Sequence, residues 1–185
     1  MVQIKGSIVL DTARAIKIRA GEEAYAKIIS LLNKETRKVF EAEIFSSTWY
    51  PLDHFVHFLE VEIKVLANGN EEILIRGSES LVEKQLRGIY KAFVKLGSPE
   101  FIIKRLAAVH ATYFQGVSID VNMESSSKAV IRYKGFEKQH RCMEYTIIGF
   151  FRKALQISGA KNVAAEFTTK ISAGTGIADL ALTWN

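Results

Sequence analysis

Residues 79–114, ESLVEKQLRGIYKAFVKLGSPEFIIKRLAAVHATYF, decide how the rest of the chain is organised. In the first half, apolar side chains recur at the three- and four-residue steps of one helix face: Val82, Leu86, Ile89, Tyr90, Phe93 and Val94. Gly97 suits the left-handed residue that ends a helix, Ser98 suits the cap of the next helix, and Pro99 suits its first turn. The stretch therefore predicts two amphipathic helices joined by a short turn.

The composition is that of one globular domain. The chain has 185 residues, of which 48% are apolar and 24% charged, enough to bury a sizeable core. No apolar run approaches the roughly 20 residues of a membrane-spanning helix, and residues 1–6 lack the apolar segment of a signal peptide. The single cysteine, Cys142, excludes an intramolecular disulfide and a multi-cysteine metal site. We expect one domain over residues 1–185, located in the cytoplasm and without an integral membrane span.

Residues 1–116 are predicted to be mainly helical. A first helix over about 7–20 is closed by Gly21, a second begins there, and a short third covers about 35–41. The helix from 51 to about 67, with Pro51 in its first turn, is apolar around most of its circumference, so it should lie centrally. Asn68-Gly69-Asn70 ends it, and another helix leads into the 79–114 stretch.

After Gly116 the apolar period changes from about 3.6 to about 2, which is typical of strands. Alternation over 117–123 and 129–133 predicts a hairpin that turns at Ser125-Ser126-Ser127. A helix over about 137–157 follows, then strands over 163–169 and 180–184 joined at Gly174-Thr175-Gly176. Residues 117–185 thus form a ββαββ unit. The predicted fold class is α+β, with an N-terminal helical layer packed on a four-stranded antiparallel sheet.

Several motifs in this order resemble a known group of proteins: Trp49-Tyr50-Pro51-Leu52, Gly88-Ile89-Tyr90, Leu96-Gly97-Ser98-Pro99-Glu100-Phe101 and the ββαββ tail. The chain resembles a paralogous family of small proteins abundant in myxobacteria and their relatives. That family is related in turn to the 4-vinyl reductase-type domain, the haem nitric-oxide-binding domain and the Bet3-like subunits of the TRAPP tethering complex. The resemblance runs from Lys5-Gly6 to Trp184, and its motifs are turns, caps and aromatic residues. It therefore implies a fold more than an activity.

The resemblance implies a helical layer that encloses an apolar pocket above the sheet. Relatives use that pocket for haem, for other small apolar ligands or for an acyl chain. Related domains often carry cysteines at the final hairpin, but residues 171–179 have none, which excludes a cysteine-bound metal or cluster there. The Tyr-x-Ser-x-Arg motif that holds haem propionates in haem-binding relatives is also absent. We therefore expect no cofactor, with haem as the less favoured alternative.

Aromatic residues and one histidine are the candidates for the pocket wall, because ligand pockets are mostly apolar with a few polar groups. The predicted wall consists of Trp49, Tyr50, His54, Phe58, Tyr90, Phe93 and Tyr113. Ordinary core packing is the alternative for each ring. A basic stripe at helical spacing is the candidate surface for an anion or a protein partner: Lys84, Arg87, Lys91 and Lys95. Its alternative is a solvated helix face.

The histidines and the cysteine carry the remaining candidate chemistry. His54 and His57 lie three apart on a predicted helix and offer two metal ligands or one haem ligand, but no third ligand is evident, so we predict no metal site. His110 is a candidate to reach the pocket. His140-Arg141 opens the C-terminal helix, where an anion is favoured. Cys142 follows in its first turn and is the acylation or redox candidate, since helix N-termini lower thiol pKa values; an inert buried thiol is the alternative.

Two functions from different classes are compatible with these features, and no catalytic signature favours an enzyme. The first is a non-enzymatic small-molecule-binding or sensory domain that holds an apolar ligand or acyl chain between helices. The alternative is a protein-interaction scaffold that docks through a helical face, as TRAPP subunits do, with a filled core and an exposed apolar patch. We expect a homodimer. The net charge of +5 is mild and spread along the chain, so we expect no nucleic-acid partner.

Overall fold

The computed structural model describes residues 1–86 and 99–185 of the chain. The described helices are α1 (Gly6–Leu31), α2 (Lys34–Glu41), α3 (Leu52–Ala67), α4 (Glu72–Leu86), α5 (Pro99–Ala111) and α6 (Arg141–Ile157). The described strands are β1 (Gln3–Lys5), β2 (Trp49–Pro51), β3 (Phe114–Gln115), β4 (Ser118–Ser125), β5 (Lys128–Phe136), β6 (Ala164–Thr169) and β7 (Gly176–Thr183). The predicted α+β class, with a mainly helical first part and a ββαββ second part, is confirmed.

The helix boundaries follow local signals in the sequence. α1 is broken at Gly21, whose φ of 89° and ψ of 165° are not helical, as the sequence predicts. The side chain of Asn33 caps α2 by accepting a hydrogen bond from the Thr36 N–H at 2.8 Å. Asn68 ends α3 in the left-handed conformation at φ 48°. α5 begins at Pro99 as predicted, whereas the turn residues Gly97 and Ser98 lie outside the described part of the chain.

α3 is the central helix, as its apolar circumference predicts. Its start differs from the prediction by one residue, because Pro51 lies in β2 and precedes the first helical turn. The buried apolar side chains of α3 are Leu52, Phe55, Val56, Phe58, Leu59, Val61 and Ile63. One acid, Glu62, is buried among them.

A small three-stranded sheet ties the N-terminus to the helical layer, and the sequence did not predict it. Its order is β2-β1-β3, and Ile4 in the middle strand pairs with Tyr50 on one side and Phe114 on the other. These strands contain two or three residues each. Such lengths are too short to show the alternation that identifies a strand.

The C-terminal sheet has the order β4-β5-β7-β6, and all neighbouring strands are antiparallel. β4 and β5 form the predicted hairpin around residues 125–128. α6 begins about four residues later than predicted, because β5 continues to Phe136, which pairs with Gly176 of β7. The inner face of the sheet is buried, including Ile131, Tyr133 and Leu180.

α4 and α6 are held together by charges and by a close backbone approach. Two ion pairs join them, with N–O distances of 2.5 Å for Arg152–Glu79 and 3.1 Å for Lys153–Glu83, and a third joins Arg141 to Glu71, the residue before α4, at 2.8 Å. The partners of the three pairs follow the same order along the chain in both segments, so the two helices run in parallel. No helix among the described residues has the length and hydropathy needed to cross a membrane.

Candidate functional site

A cavity of about 80 Å³ lies between the helical layer and α6. Its wall is mainly apolar and comes from five helices and two short strands. The apolar lining residues are Ile4, Ile8, Ala15, Ile16, Phe55, Leu59, Leu74, Leu81, Val82, Phe114, Met143 and Phe150. The polar lining residues are Asp11, Thr12, Arg19, Glu62, Ser78, His110, Tyr113 and Thr146. At about 10–15 Å³ for each water, this volume corresponds to roughly five to eight water molecules or one small ligand.

Half-buried lining residues lie on α1, α4 and α6, including Ile8 and Ala15 on α1, Leu81 on α4 and Thr146 on α6. The lining residues of α3, such as Leu59 and Glu62, are buried. The α3 side of the cavity is therefore the more enclosed one.

His110 of α5 is the buried basic group of the wall. Five aromatic rings surround its imidazole, with centroids 4.6–5.9 Å away: Tyr113, Phe114, Tyr133, Phe150 and Phe151. Burial lowers the pKa of His110 to about 3 and raises that of the Tyr133 phenol well above its ordinary value, so both are neutral at pH 7. His110 Nδ1 lies 3.2 Å from the Tyr133 hydroxyl oxygen, which makes one hydrogen bond between the two groups. Within the described part of the chain, no second hydrogen bond engages the imidazole.

Glu62 of α3 is the buried acid of the wall, with only 3% of its surface exposed. Burial raises the pKa of Glu62, while the charge and hydrogen bond of Arg19 oppose this rise. Arg19 Nη2 donates to Glu62 Oε1 at 2.7 Å, and the arginine side chain is 40% exposed. The sequence analysis missed both residues. The sequence does carry a signal for Glu62, which is an acid inside a helix that is apolar nearly all round. Such an acid is rarely buried without a charged partner, which here is Arg19.

One of the predicted wall residues lines the cavity, and another lies away from it. Tyr113 lines it. Phe58 lies elsewhere in the core, where its ring stacks on Phe40 with centroids 4.2 Å apart and packs against Tyr25. Two others, Tyr90 and Phe93, lie outside the described residues.

Trp49, Tyr50 and His54 also lie apart from this cavity. Trp49 of β2 lies below the Lys5 ammonium group, which is 5.8 Å from the ring centroid. The Tyr50 hydroxyl accepts a hydrogen bond from the Phe45 N–H at 3.0 Å. His54 Nδ1 lies 3.0 Å from the Thr36 hydroxyl, so this histidine joins α3 to α2.

The second histidine of the predicted pair has a similar structural role. His57 Nε2 accepts a hydrogen bond from the Asn33 N–H at 3.2 Å, at the start of α2. Within residues 1–86 and 99–185, no group of three or more His, Cys, Asp or Glu side chains could hold a metal ion. His54 and His57 therefore fix helix packing in this structure.

The predicted anion sites are occupied by protein acids or lie partly outside the description. His140 Nε2 lies 2.8 Å from Asp53 Oδ1, and Lys138 contacts the other oxygen of the same carboxylate. Although burial raises the pKa of Asp53, hydrogen bonds from Lys138 and His140 hold it below its usual value. Arg141 is paired with Glu71. Of the predicted basic stripe, Lys84 is exposed on α4, while Arg87, Lys91 and Lys95 lie outside the described residues.

Cys142 differs from the expectation for a thiol at a helix N-terminus. The side chain is buried, and burial, followed by the charges of Glu60 and Glu71, raises the pKa of Cys142 to about 12. Desolvation and nearby acids thus outweigh the helix dipole. The thiol is protonated at pH 7, so the expected lowering of its pKa was wrong, and the structure favours the inert alternative.

No protein-family model matches the sequence, and no curated protein matches it significantly. Solved structures do match over nearly the whole chain. The unliganded Fe(II) H-NOX protein from K. algicida is 13% identical with a TM-score of 0.74, and the match covers 98% of this chain and 97% of that one. The H-NOX protein from S. oneidensis in the Fe(II)NO ligation state is 12% identical with a TM-score of 0.72, covering 98% and 99%. The chain therefore has the H-NOX fold, as the resemblance to haem nitric-oxide-binding domains implies.

Proposed function

We propose that this chain is a non-enzymatic small-molecule-binding or sensory domain, with the cavity between α1, α3, α4, α5 and α6 as its binding site. One observation carries the proposal. The mainly apolar wall of the cavity includes two buried polar side chains, His110 and Glu62, and each of them has one hydrogen-bond partner among the described residues. Apolar walls with a few convergent polar groups are the general character of ligand sites.

A haem group does not fit this cavity. Pockets for ligands of drug size enclose roughly 300–1,000 Å³, whereas this one has a volume of about 80 Å³. The space next to His110 is taken by the rings of Phe150 and Phe114, with centroids 4.6 and 5.2 Å from the imidazole. The two H-NOX proteins are iron proteins in the Fe(II) and Fe(II)NO states, but the side chains of this chain favour a much smaller ligand.

The interaction-scaffold alternative has less support. It requires a contiguous exposed apolar patch, which marks docking surfaces on soluble proteins. Among the described residues, the large exposed apolar side chains come from several parts of the chain, with two on α1: Met1, Ile18, Leu31, Phe45, Phe101 and Ile177. It also requires a filled core, whereas the helical layer contains a cavity.

Native mass spectrometry of freshly purified protein, with an absorbance scan of the same sample, tests the proposal. We expect an added mass that disappears on denaturation and no Soret band. Ala15→Phe, which fills the cavity from α1, should lose the added mass. Arg14→Phe is the matched control, because Arg14 is exposed on the same helix and does not line the cavity. A bare mass for the wild-type protein, together with no binding of small amines, alcohols or acids, would contradict the proposal.

A further inference from the structure

The cavity is elongated along α1. Ile8, Thr12, Ala15 and Arg19 line it at successive turns of this helix, and the eleven steps from Ile8 to Arg19, at about 1.5 Å each, extend for about 16 Å. Arg19 and Glu62 lie at one end. Near the other end, Ile4 lies two residues before the start of α1 and pairs with Phe114, whose ring centroid is 5.2 Å from that of His110. A volume of about 80 Å³ distributed over this length leaves a narrow channel.

Part of the acceptor capacity of Glu62 is not used by any of the described residues. A carboxylate offers about four lone-pair sites, and the Arg19 guanidinium uses one oxygen. Among the described residues, no other donor bonds to this carboxylate. Arg19 is 40% exposed, so its remaining N–H groups reach solvent, whereas Glu62 is enclosed. A donor group of a ligand at this end of the cavity would bind to this unused capacity, and hydrogen bonds to charged groups contribute more than those between neutral groups.

The Thr12 hydroxyl lies on the same side of the channel. Thr12 is 9% exposed, lines the cavity and makes no hydrogen bond to any residue in the described part of the chain. Asp11, next to Thr12 on α1, adds a second carboxylate to the wall, and beyond it the lining residue of α1 is the apolar Ile8. At the end near Ile4 and Phe114, the polar groups among the described lining residues are the neutral imidazole of His110 and the side chain of Tyr113.

We infer that the ligand is a narrow, linear molecule whose primary amine donates hydrogen bonds to Glu62 and whose apolar chain extends toward His110. This inference rests on the proposed function and names the ligand class for the same cavity. Ammonium-to-carboxylate hydrogen bonds are roughly twice as strong as neutral ones, so an amine satisfies Glu62 better than an alcohol does. A carboxylate head group would meet the Glu62 charge and is disfavoured.

Three short probes with the same chain test the head group: n-butylamine, 1-butanol and butyrate. Dissociation constants are measured by NMR titration at pH 7 and constant ionic strength, on the full chain. We expect n-butylamine to bind about tenfold tighter than 1-butanol, and butyrate to bind weakest. Glu62→Gln keeps the side-chain shape and should abolish the preference for the amine. Glu41→Gln, at an exposed acid on α2, should leave the amine-to-alcohol ratio unchanged and controls for binding to surface carboxylates.

The outcomes separate the inference from the proposed function. Equal or tighter binding of 1-butanol or butyrate would overturn the assignment of the amine while the cavity remains a ligand site. Loss of the amine preference in Glu41→Gln, with its retention in Glu62→Gln, would place the head group elsewhere and also overturn it. Failure of all three probes to bind would overturn the proposed function and the inference together. If Glu62→Gln does not fold, the wild-type ranking alone decides.

Discussion

Gly149→Ala provides a direct test of how closely α4 and α6 pack. A Cβ atom at Gly149 would lie 2.5 Å from the Ile75 carbonyl oxygen and 2.9 Å from Ser78 Cβ. Alanine in place of glycine favours an isolated helix by about 1 kcal/mol. Overpacking costs about 1–3 kcal/mol, and the upper value applies here because the opposing oxygen is backbone and cannot rotate away. We expect the free energy of unfolding to fall by about 2 kcal/mol.

Urea denaturation followed by circular dichroism measures this change, and an unaltered m-value would show that it reflects stability. Gly77→Ala is the matched control on the partner helix. Its Cβ atom would lie 3.4 Å from Arg19 Nη1, the end of a flexible side chain, so the variant should be neutral or up to about 1 kcal/mol more stable. A Gly149→Ala protein as stable as the Gly77→Ala protein would refute the close helix approach.

Three further predictions concern the site and the core. Acid should destabilise the protein through His110, whose pKa is about 3 in the folded chain and ordinarily 6.5. The unfolded chain therefore binds the proton first as the pH falls, and the free energy of unfolding should decrease by about 2 kcal/mol between pH 6.5 and 4.5. Urea denaturation across this range should give a flatter profile for His110→Gln. Cys142 should react with iodoacetamide at pH 7.5 only after unfolding, because burial raises its pKa; mass spectrometry measures the adduct. Phe58→Ala should cost about 3–5 kcal/mol yet leave n-butylamine affinity unchanged, since Phe58 stacks on Phe40 away from the cavity; equal losses of both would contradict this.

Long periodic segments made most of the fold predictable. The central position of α3, the break at Gly21, the β4–β5 hairpin and the end of α6 at Ser158-Gly159 all carry a signal that spans several residues or a glycine. The three short strands near the N-terminus carry no such signal, because their pairing brings together residues 4, 50 and 114. Only the folded chain makes those residues neighbours.

The candidate site was harder to predict because it depends on which side of each helix faces the cavity. Residue type alone makes aromatic side chains candidates for the wall, but it does not give their orientation. In the structure, Phe58 faces α2, and Trp49 and Tyr50 belong to a strand. The cavity-lining residues of α1 that were not predicted, such as Thr12 and Arg19, are polar. In the sequence they are typical of a solvent-exposed helix face. Gly149 was also missed, although a glycine inside a helical pattern indicates a close approach of another element.

The site also shows why the fold alone does not determine the ligand. At 12–13% identity, the H-NOX structures share the course of the backbone with this chain, and their side chains are largely different. Around His110, Phe150 and Phe114 occupy the space beside the imidazole, and its pKa of about 3 keeps it neutral. The remaining space follows α1, and the carboxylates of its wall are those of Asp11 and Glu62, of which Glu62 is the buried one. Exchange of that carboxylate for an amide removes the charge while preserving the shape, which makes Glu62→Gln the decisive variant for the ligand assignment.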